Sequence, residues 1–278
     1  MRTTADQYVL GDDIAAIIFG VDGIVVDVDR AAAAAWKAVL DPFLRSYAVT
    51  QEAEFKPFEV RDDYLGHMHG KPRLDGVRAF LCSREITLPY DDLRGLAGRE
   101  EELFLTEVRR YGIAPFTSTV RLLHAVRRSG RRTAAVSVDW YAAELLTRAG
   151  VTEMFDVRLD GLDAPGTRLP GHPEPGLFCE AALRLRTPPG RIAIVEQSLA
   201  GVSAARHGAF GLVVGVDRIG QAAAALREHG ADVVINDLSE MRLPAGPTMA
   251  GRSRPYELIA QRAGPIEGTT PTNMSSTS

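Results

Sequence analysis

Cysteine is almost missing from this chain. Cys82 and Cys179 stand far apart with no C-x-x-C spacing, which argues against a disulfide framework or a structural zinc site. A surplus of one charge is missing too: 32 basic residues against 36 acidic ones leave a net −4 at pH 7. That balance speaks against a nucleic-acid or membrane surface driven by net charge. No apolar run is long enough to span a bilayer, and the opening "MRTTADQYVLGDD" lacks the apolar core of a signal peptide. The expectation is a cytoplasmic protein with a small-molecule substrate and neither a nucleic-acid nor a membrane partner.

What is present is apolar. Hydrophobic residues make up 45% of the 278, ample for a sizeable core. Short apolar runs at residues 15–19, 133–138, 191–196, 212–216 and 232–235 read as buried strands. Their unbroken apolar character fits a parallel sheet covered on both faces. Helical patterns lie between them, at residues 120–129, 141–149, 176–185, 199–207 and 221–229. Glycines at 130, 150, 208 and 230 follow four of those helices, where a left-handed closing residue is expected. Strand–helix alternation with short links predicts an α/β fold, a Rossmann-like doubly wound parallel sheet.

Residues 30–114 break the rhythm. "RAAAAAWKAVLDPFLRSYA" and "GREEELFLTEVRRYG" are helical in pattern, and no buried strand interrupts them. They are expected to form a helical insertion between the first two strands of the core, which spans residues 1–29 and 115–241. From residue 242 the chain is rich in Pro, Gly, Ser and Thr, as expected of a mostly flexible tail.

Four segments carry a family resemblance: "AAIIFGVDG" at residues 15–23, the strand ending in Ser137, "PGHPEPGLFCEAALRL", and "EQSLAGVSAARHGAFGLVVGVDR". Together with "GKPRLDGVRAFL" at residues 70–81, they resemble haloacid dehalogenase-like phosphatases, of the β-phosphoglucomutase-like branch with a helical cap. The resemblance implies a first loop reading Asp-x-Asp-Gly. Its first Asp is the nucleophile that becomes an aspartyl-phosphate, and its second is the general acid/base. A hydroxyl after the second strand holds phosphate, a lysine neutralises charge, and an acidic pair binds Mg²⁺. Here those positions fall on Gly20, Asp22, Ser137, His172, and Glu196 with Gln197.

Three central side chains of that machinery are therefore absent. Glycine supplies no attacking oxygen, and Mg²⁺ prefers several anionic oxygens. No cofactor is therefore expected, beyond a weak residual Mg²⁺ site at Glu196 and Gln197. After Ser137 come Asp139 and Trp140, a repelling carboxylate and an apolar surface.

The remaining groups suggest other chemistry. Asp22 and Glu196, on adjacent strand ends, form a candidate acid/base pair, with His172 as a further proton carrier. Gly20 is expected to leave room for a substrate atom. Ser137, Asp139, Trp140, His69 and Arg73 are candidate substrate contacts. His67 and His69 lack the acidic partner a metal site needs.

The leading expectation is a repurposed, metal-independent acid/base enzyme of dehydratase, isomerase or cyclase type, serving specialised metabolism. The alternatives are a non-catalytic pseudophosphatase that binds a ligand or protein, and a residual phosphatase or phosphoglucomutase.

Overall fold

The computed structural model describes residues 8–161 and 172–244. In chain order the strands are β1 (Tyr8–Val9), β2 (Ala16–Gly20), β3 (Arg132–Val136), β4 (Val157–Leu159), β5 (Ile192–Glu196), β6 (Leu212–Val216), β7 (Val233–Ile235) and β8 (Met241–Arg242). Six of them form one sheet in the order β4-β3-β2-β5-β6-β7, every neighbouring pair parallel. All residues of β2, β5 and β6 are buried, as their unbroken apolar runs require. Alternate residues of β2 point to opposite faces. Ile17 and Phe19 join one hydrophobic cluster, Ala16 and Ile18 the other.

Among the described residues eight α-helices accompany the strands: α1 (Asp29–Thr50), α2 (Arg73–Ser83), α3 (Tyr90–Tyr111), α4 (Thr117–Arg128), α5 (Ala142–Arg148), α6 (Gly176–Arg184), α7 (Leu199–His207) and α8 (Ala223–Glu228). The first three lie between β2 and β3 and form the cap. With a wide π-type turn over Val60–Met68 they enclose a core of their own, including Trp36, Leu40, Phe58, Phe80 and Leu96. The chain leaves for the cap and returns through two linkers that pair side by side. Asp27 N donates to Ala114 O (3.0 Å) and Phe116 N to Val25 O (2.9 Å).

The structure corrects the sequence reading in three places. The strand expected over 133–138 ends at Val136, which puts Ser137 and Asp139 in the loop above it. Arg242, assigned to the tail, belongs to β8: Leu10 N donates to its carbonyl (2.8 Å) and β8 pairs with β1. Residues 245–278 lie outside the described residues. Gly130, Gly150 and Gly230 have positive φ, but Gly208 has φ −77° and the left-handed residue is Ala209 (φ 53°). Gly208 is needed for close approach instead, since a Cβ there would lie 2.5 Å from Phe210 Cε2. Among the described residues no helix is long and apolar enough to cross a membrane.

Candidate active site

After β2 the chain builds outward on one side to β3 and β4, then returns to β5 on the other. Such a reversal opens a crevice at the carboxyl ends of the strands. Gly20 ends β2 and Glu196 ends the adjacent β5. A Cβ on Gly20 would lie 2.7 Å from Glu196 Oε1, and one on Gly201 would lie 2.6 Å from Glu196 Cδ. The Glu196 carboxylate thus fills the space between two glycines. Its Oε2 accepts from Gln197 N (2.8 Å), Ser198 N (3.0 Å) and Ser198 Oγ (3.1 Å), which fixes it there. The expectation that Gly20 leaves room for a substrate atom is corrected: Glu196 occupies that room.

Asp22 sits two residues on, in a turn closed by Gly23 N donating to Val26 O (2.9 Å). It is half-buried; its Oδ1 is enclosed and has no hydrogen-bond partner. Burial pushes its carboxyl well above the usual range, and the neighbouring Asp139 raises it further by charge and by a side-chain hydrogen bond. Glu196 adds to the rise and Arg73 opposes it. The Asp22 carboxyl is therefore pushed towards its protonated form, because burial and the neighbouring carboxylates both work against its charge. Asp139 is itself anchored: its N donates to Ser137 Oγ (3.0 Å), while Ser137 N donates to Leu159 O (3.0 Å).

The cap presents Arg73, the first residue of α2. Its Nε donates to Glu100 Oε2 at 2.6 Å and its Nη1 lies 3.5 Å from Asp139 Oδ1. The guanidinium also packs over the rings of Phe104 and Tyr141, 5.5 and 5.2 Å from their centroids. Glu100 is fully buried, and its Oε1 has no partner. Burial pushes its carboxyl up to about 6 although Arg73 pulls the other way. Burial likewise holds the Tyr141 hydroxyl well above the ordinary tyrosine range.

The sequence reading missed Glu100 and Tyr141. A signal for Glu100 exists. Leu93, Leu96, Ala97, Phe104 and Val108 form the buried stripe of α3, and Glu100, three residues after Ala97 and four before Phe104, falls on it.

The remaining candidates divide. His172 is half-buried with its ring 4.9 Å from that of Phe178, and its Nε2 is enclosed without a partner. Burial lowers its basicity, against the pull of Glu196 and Asp139, so the ring is neutral at pH 7 and is an acceptor of protons. No lysine follows Lys71 in the chain, so none from a neighbouring core position replaces the family's. His69, expected to touch substrate, is instead tied to the base of α1. Its Nδ1 lies 3.0 Å from Asp29 Oδ1, which also accepts from the Tyr64 hydroxyl (3.0 Å). Burial works to raise the Asp29 carboxyl, but those two bonds outweigh it and hold the group low. Trp140 is 44% exposed, with its Nε1 donating to Glu101 Oε1 (2.6 Å) of α3. It joins the loop after β3 to the cap rather than lining the crevice floor.

The donors do not fit a closed Mg²⁺ site. Glu196 Oε2 is engaged by three donors, Gly20 offers no side-chain oxygen, and the Gln197 amide packs over Gly23, within 2.1 Å of where a Cβ would sit. Octahedral Mg²⁺ with one free anionic oxygen is poorly held. Among the described residues no cluster of three His, Cys, Asp or Glu is arranged to hold a metal ion.

A profile of haloacid dehalogenase-like hydrolases matches residues 14–208. The chain belongs to this family. A β-phosphoglucomutase of Mycobacterium bovis is 35% identical over 243 residues, covering 84% of this chain and 93% of the relative. A trehalose-phosphate phosphatase of Mycobacterium leprae is 37% identical over 136 residues, 48% of this chain and 30% of its own length. In structure the chain resembles a family hydrolase from Deinococcus radiodurans, solved with bound phosphate and sodium. The TM-score is 0.61 at 24% identity, covering 83% of this chain and 94% of that one.

The family is one of enzymes, and its members normally work with Mg²⁺. These relatives correct the functional expectation. A metal-independent dehydratase, isomerase or cyclase is overturned, and the family supports an enzyme over a non-catalytic binding module. The relative that covers 84% of the chain is named a β-phosphoglucomutase, and the one that covers 48% a trehalose-phosphate phosphatase.

Proposed function

We propose that this protein transfers or hydrolyses the phosphoryl group of a phosphorylated small molecule, of the sugar-phosphate class, in the crevice between the strand ends and the cap. On this reading residues 30–114 are the cap, residues 1–29 and 115–241 the core, and the protein works in the cytoplasm with at most weakly bound Mg²⁺. The observation that carries it is the gathering at the crevice of Asp22, whose Oδ1 is enclosed without a partner, with Asp139 and with Arg73 of the cap, whose Nη1 lies 3.5 Å from Asp139 Oδ1. Asp22, its carboxyl pushed upward, offers an O–H to donate, and the Asp139 carboxylate offers an oxygen to accept a proton. The names of the relatives, a β-phosphoglucomutase and a trehalose-phosphate phosphatase, support the substrate class.

The attacking oxygen comes from water or a substrate hydroxyl, since Gly20 supplies none. That oxygen bonds phosphorus and gives its proton to the ionised carboxyl. The ester P–O bond breaks, and the departing oxygen takes the proton from the other carboxyl. Ser137 Oγ accepts from Asp139 N and so keeps its own hydrogen for a phosphoryl oxygen. Arg73 brings positive charge from the cap. Losing a covalent nucleophile costs on the order of a millionfold in rate, so turnover is slow.

The test is ³¹P NMR of glucose phosphates and trehalose phosphate over long incubations. Wild type is expected to produce inorganic phosphate or a new ester, with Asp22→Asn slower by about 10²–10⁴-fold. Unchanged spectra with wild type, or equal rates in the two proteins, would sink the proposal.

A further inference from the structure

We infer that Arg218 is a positioning residue that clamps the Asp22 loop to the linker returning from the cap. For its turnover readout this rests on the proposed function; its structural readout does not. Arg218 follows β6 in a turn tied by Asp217, whose carboxylate accepts from Gly220 N (2.8 Å), Gln221 N (3.1 Å) and Ala222 N (2.8 Å). From that base its guanidinium reaches across 195 residues of sequence, and Nε donates to the Gly23 carbonyl at 3.0 Å. Gly23 directly follows Asp22 and has φ +71°, so this bond fixes the peptide plane beside the Asp22 side chain.

The opposite edge of the fork faces Asp237. Nη1 lies 2.5 Å from Asp237 Oδ2, which also accepts from Ser118 Oγ (2.7 Å) at the start of α4. Burial works to raise the Asp237 carboxyl, but its bonds from Ser239, Ser118 and Arg218 hold it far below the usual range. It is therefore a permanent anion for Arg218. The flat face of the guanidinium lies 3.7 Å from the Phe116 ring centroid. Phe116 is in the return linker, and its N donates to Val25 O (2.9 Å). One side chain thus holds the loop carrying Asp22, the cap linker and the α4 entrance at once. A planar fork can satisfy such a set of directions; the single ammonium of lysine cannot. Arg218 is 17% exposed in its side chain and its Nη2 is enclosed without a partner, so this wedge is mostly closed to water.

The test compares wild type with Arg218→Met, Arg218→Lys and Asp237→Asn by amide hydrogen exchange and steady-state kinetics on the phosphate ester turned over best. Arg218→Met is expected to speed exchange by about tenfold at residues 21–27 and 114–118 while β3, β5 and β6 stay protected. It should also lower kcat by about 10- to 100-fold with KM within about twofold. Arg218→Lys should fall between, and Asp237→Asn should repeat the exchange pattern more weakly, covering the case where Arg218→Met does not fold. Exchange unchanged in both segments, or raised equally through the sheet, would overturn the clamp. If wild type turns over no ester, the proposed function fails while the exchange result still decides the role of Arg218.

Discussion

The roof and floor of the crevice handle buried charge in opposite ways. On the cap side, Glu100 faces Arg73 at 2.6 Å, and the pair lies against Phe104 and Tyr141. On the core side, Asp22, Asp139 and Glu196 gather at neighbouring strand ends beside a neutral His172, with Arg73 of the cap 3.5 Å from Asp139. The cap therefore satisfies a carboxylate with a counter-ion; the floor pushes Asp22 towards its protonated form. A matched ion pair is rigid and nearly indifferent to pH above the value at which its acid titrates. A carboxyl pushed upward can carry a proton that an ordinary carboxylate has lost, which is what proton transfer needs.

Removing the roof's cation should have the largest effect. Arg73→Met leaves Glu100 buried without a counter-ion, and unfolding in urea at pH 8 should show a loss of about 3–5 kcal/mol. The double change Arg73→Met with Glu100→Leu should recover most of it. If the single variant loses nothing, the roof pair is not a desolvated ion pair and the contrast with the floor collapses.

The next effect is in the pH dependence. Glu100 titrates at about 6 in the folded chain against 4.5 when free. A carboxyl that is harder to ionise in the folded state adds stability below 4.5 and loses it as pH rises through 6, about 2 kcal/mol across that window. Glu100→Gln should flatten this part of the stability curve. Asp22, also raised, tilts the curve the same way, so adding Asp22→Asn to Glu100→Gln should remove a further part of the fall in stability with rising pH. Thermal melts from pH 4 to 8 check both, and an unaltered slope in Glu100→Gln would remove Glu100 from the account.

The smallest effect sharpens the floor. Gly20→Asp restores the family's carboxyl but brings its Cβ to 2.7 Å from Glu196 Oε1. The clash is with the far end of a side chain, so the cost should be about 1 kcal/mol, the low end for overpacking. Glu196→Ala in the same background should relieve it, as a shift in Tm will show. A Gly20→Asp protein as stable as wild type would mean that Glu196 does not hold this space.

Much of the fold was legible because burial leaves local marks. Five apolar runs became β2, β3, β5, β6 and β7 within a residue or two, and the helical break between β2 and β3 became the cap. The two-residue strands β1 and β8 left no such mark, since neither is long enough to show a period. At the site, Asp22 and Glu196 could be placed on adjacent strand ends from motif order alone. The occupation of the Gly20 space could not, because it depends on the Glu196 rotamer and on Gly201. His69 misled for a similar reason: its partner Asp29 is 40 residues away.

Chain order and residue type suffice for the parallel sheet, the capped architecture, the family and the glycine where a nucleophile is expected. They suffice because strand patterning and loop motifs are local, written into consecutive residues whose burial alternates with a fixed period. Which carboxyl is pushed upward by burial, which is paired with arginine, and which arginine holds the Asp22 loop were decided only when the chain packed. Arg73 and Glu100 are 27 residues apart, and Arg218 and Gly23 are 195 apart. Such contacts arise where surfaces of several elements meet. The ionisation of each group then follows from how much water that meeting excludes and which charges it leaves nearby.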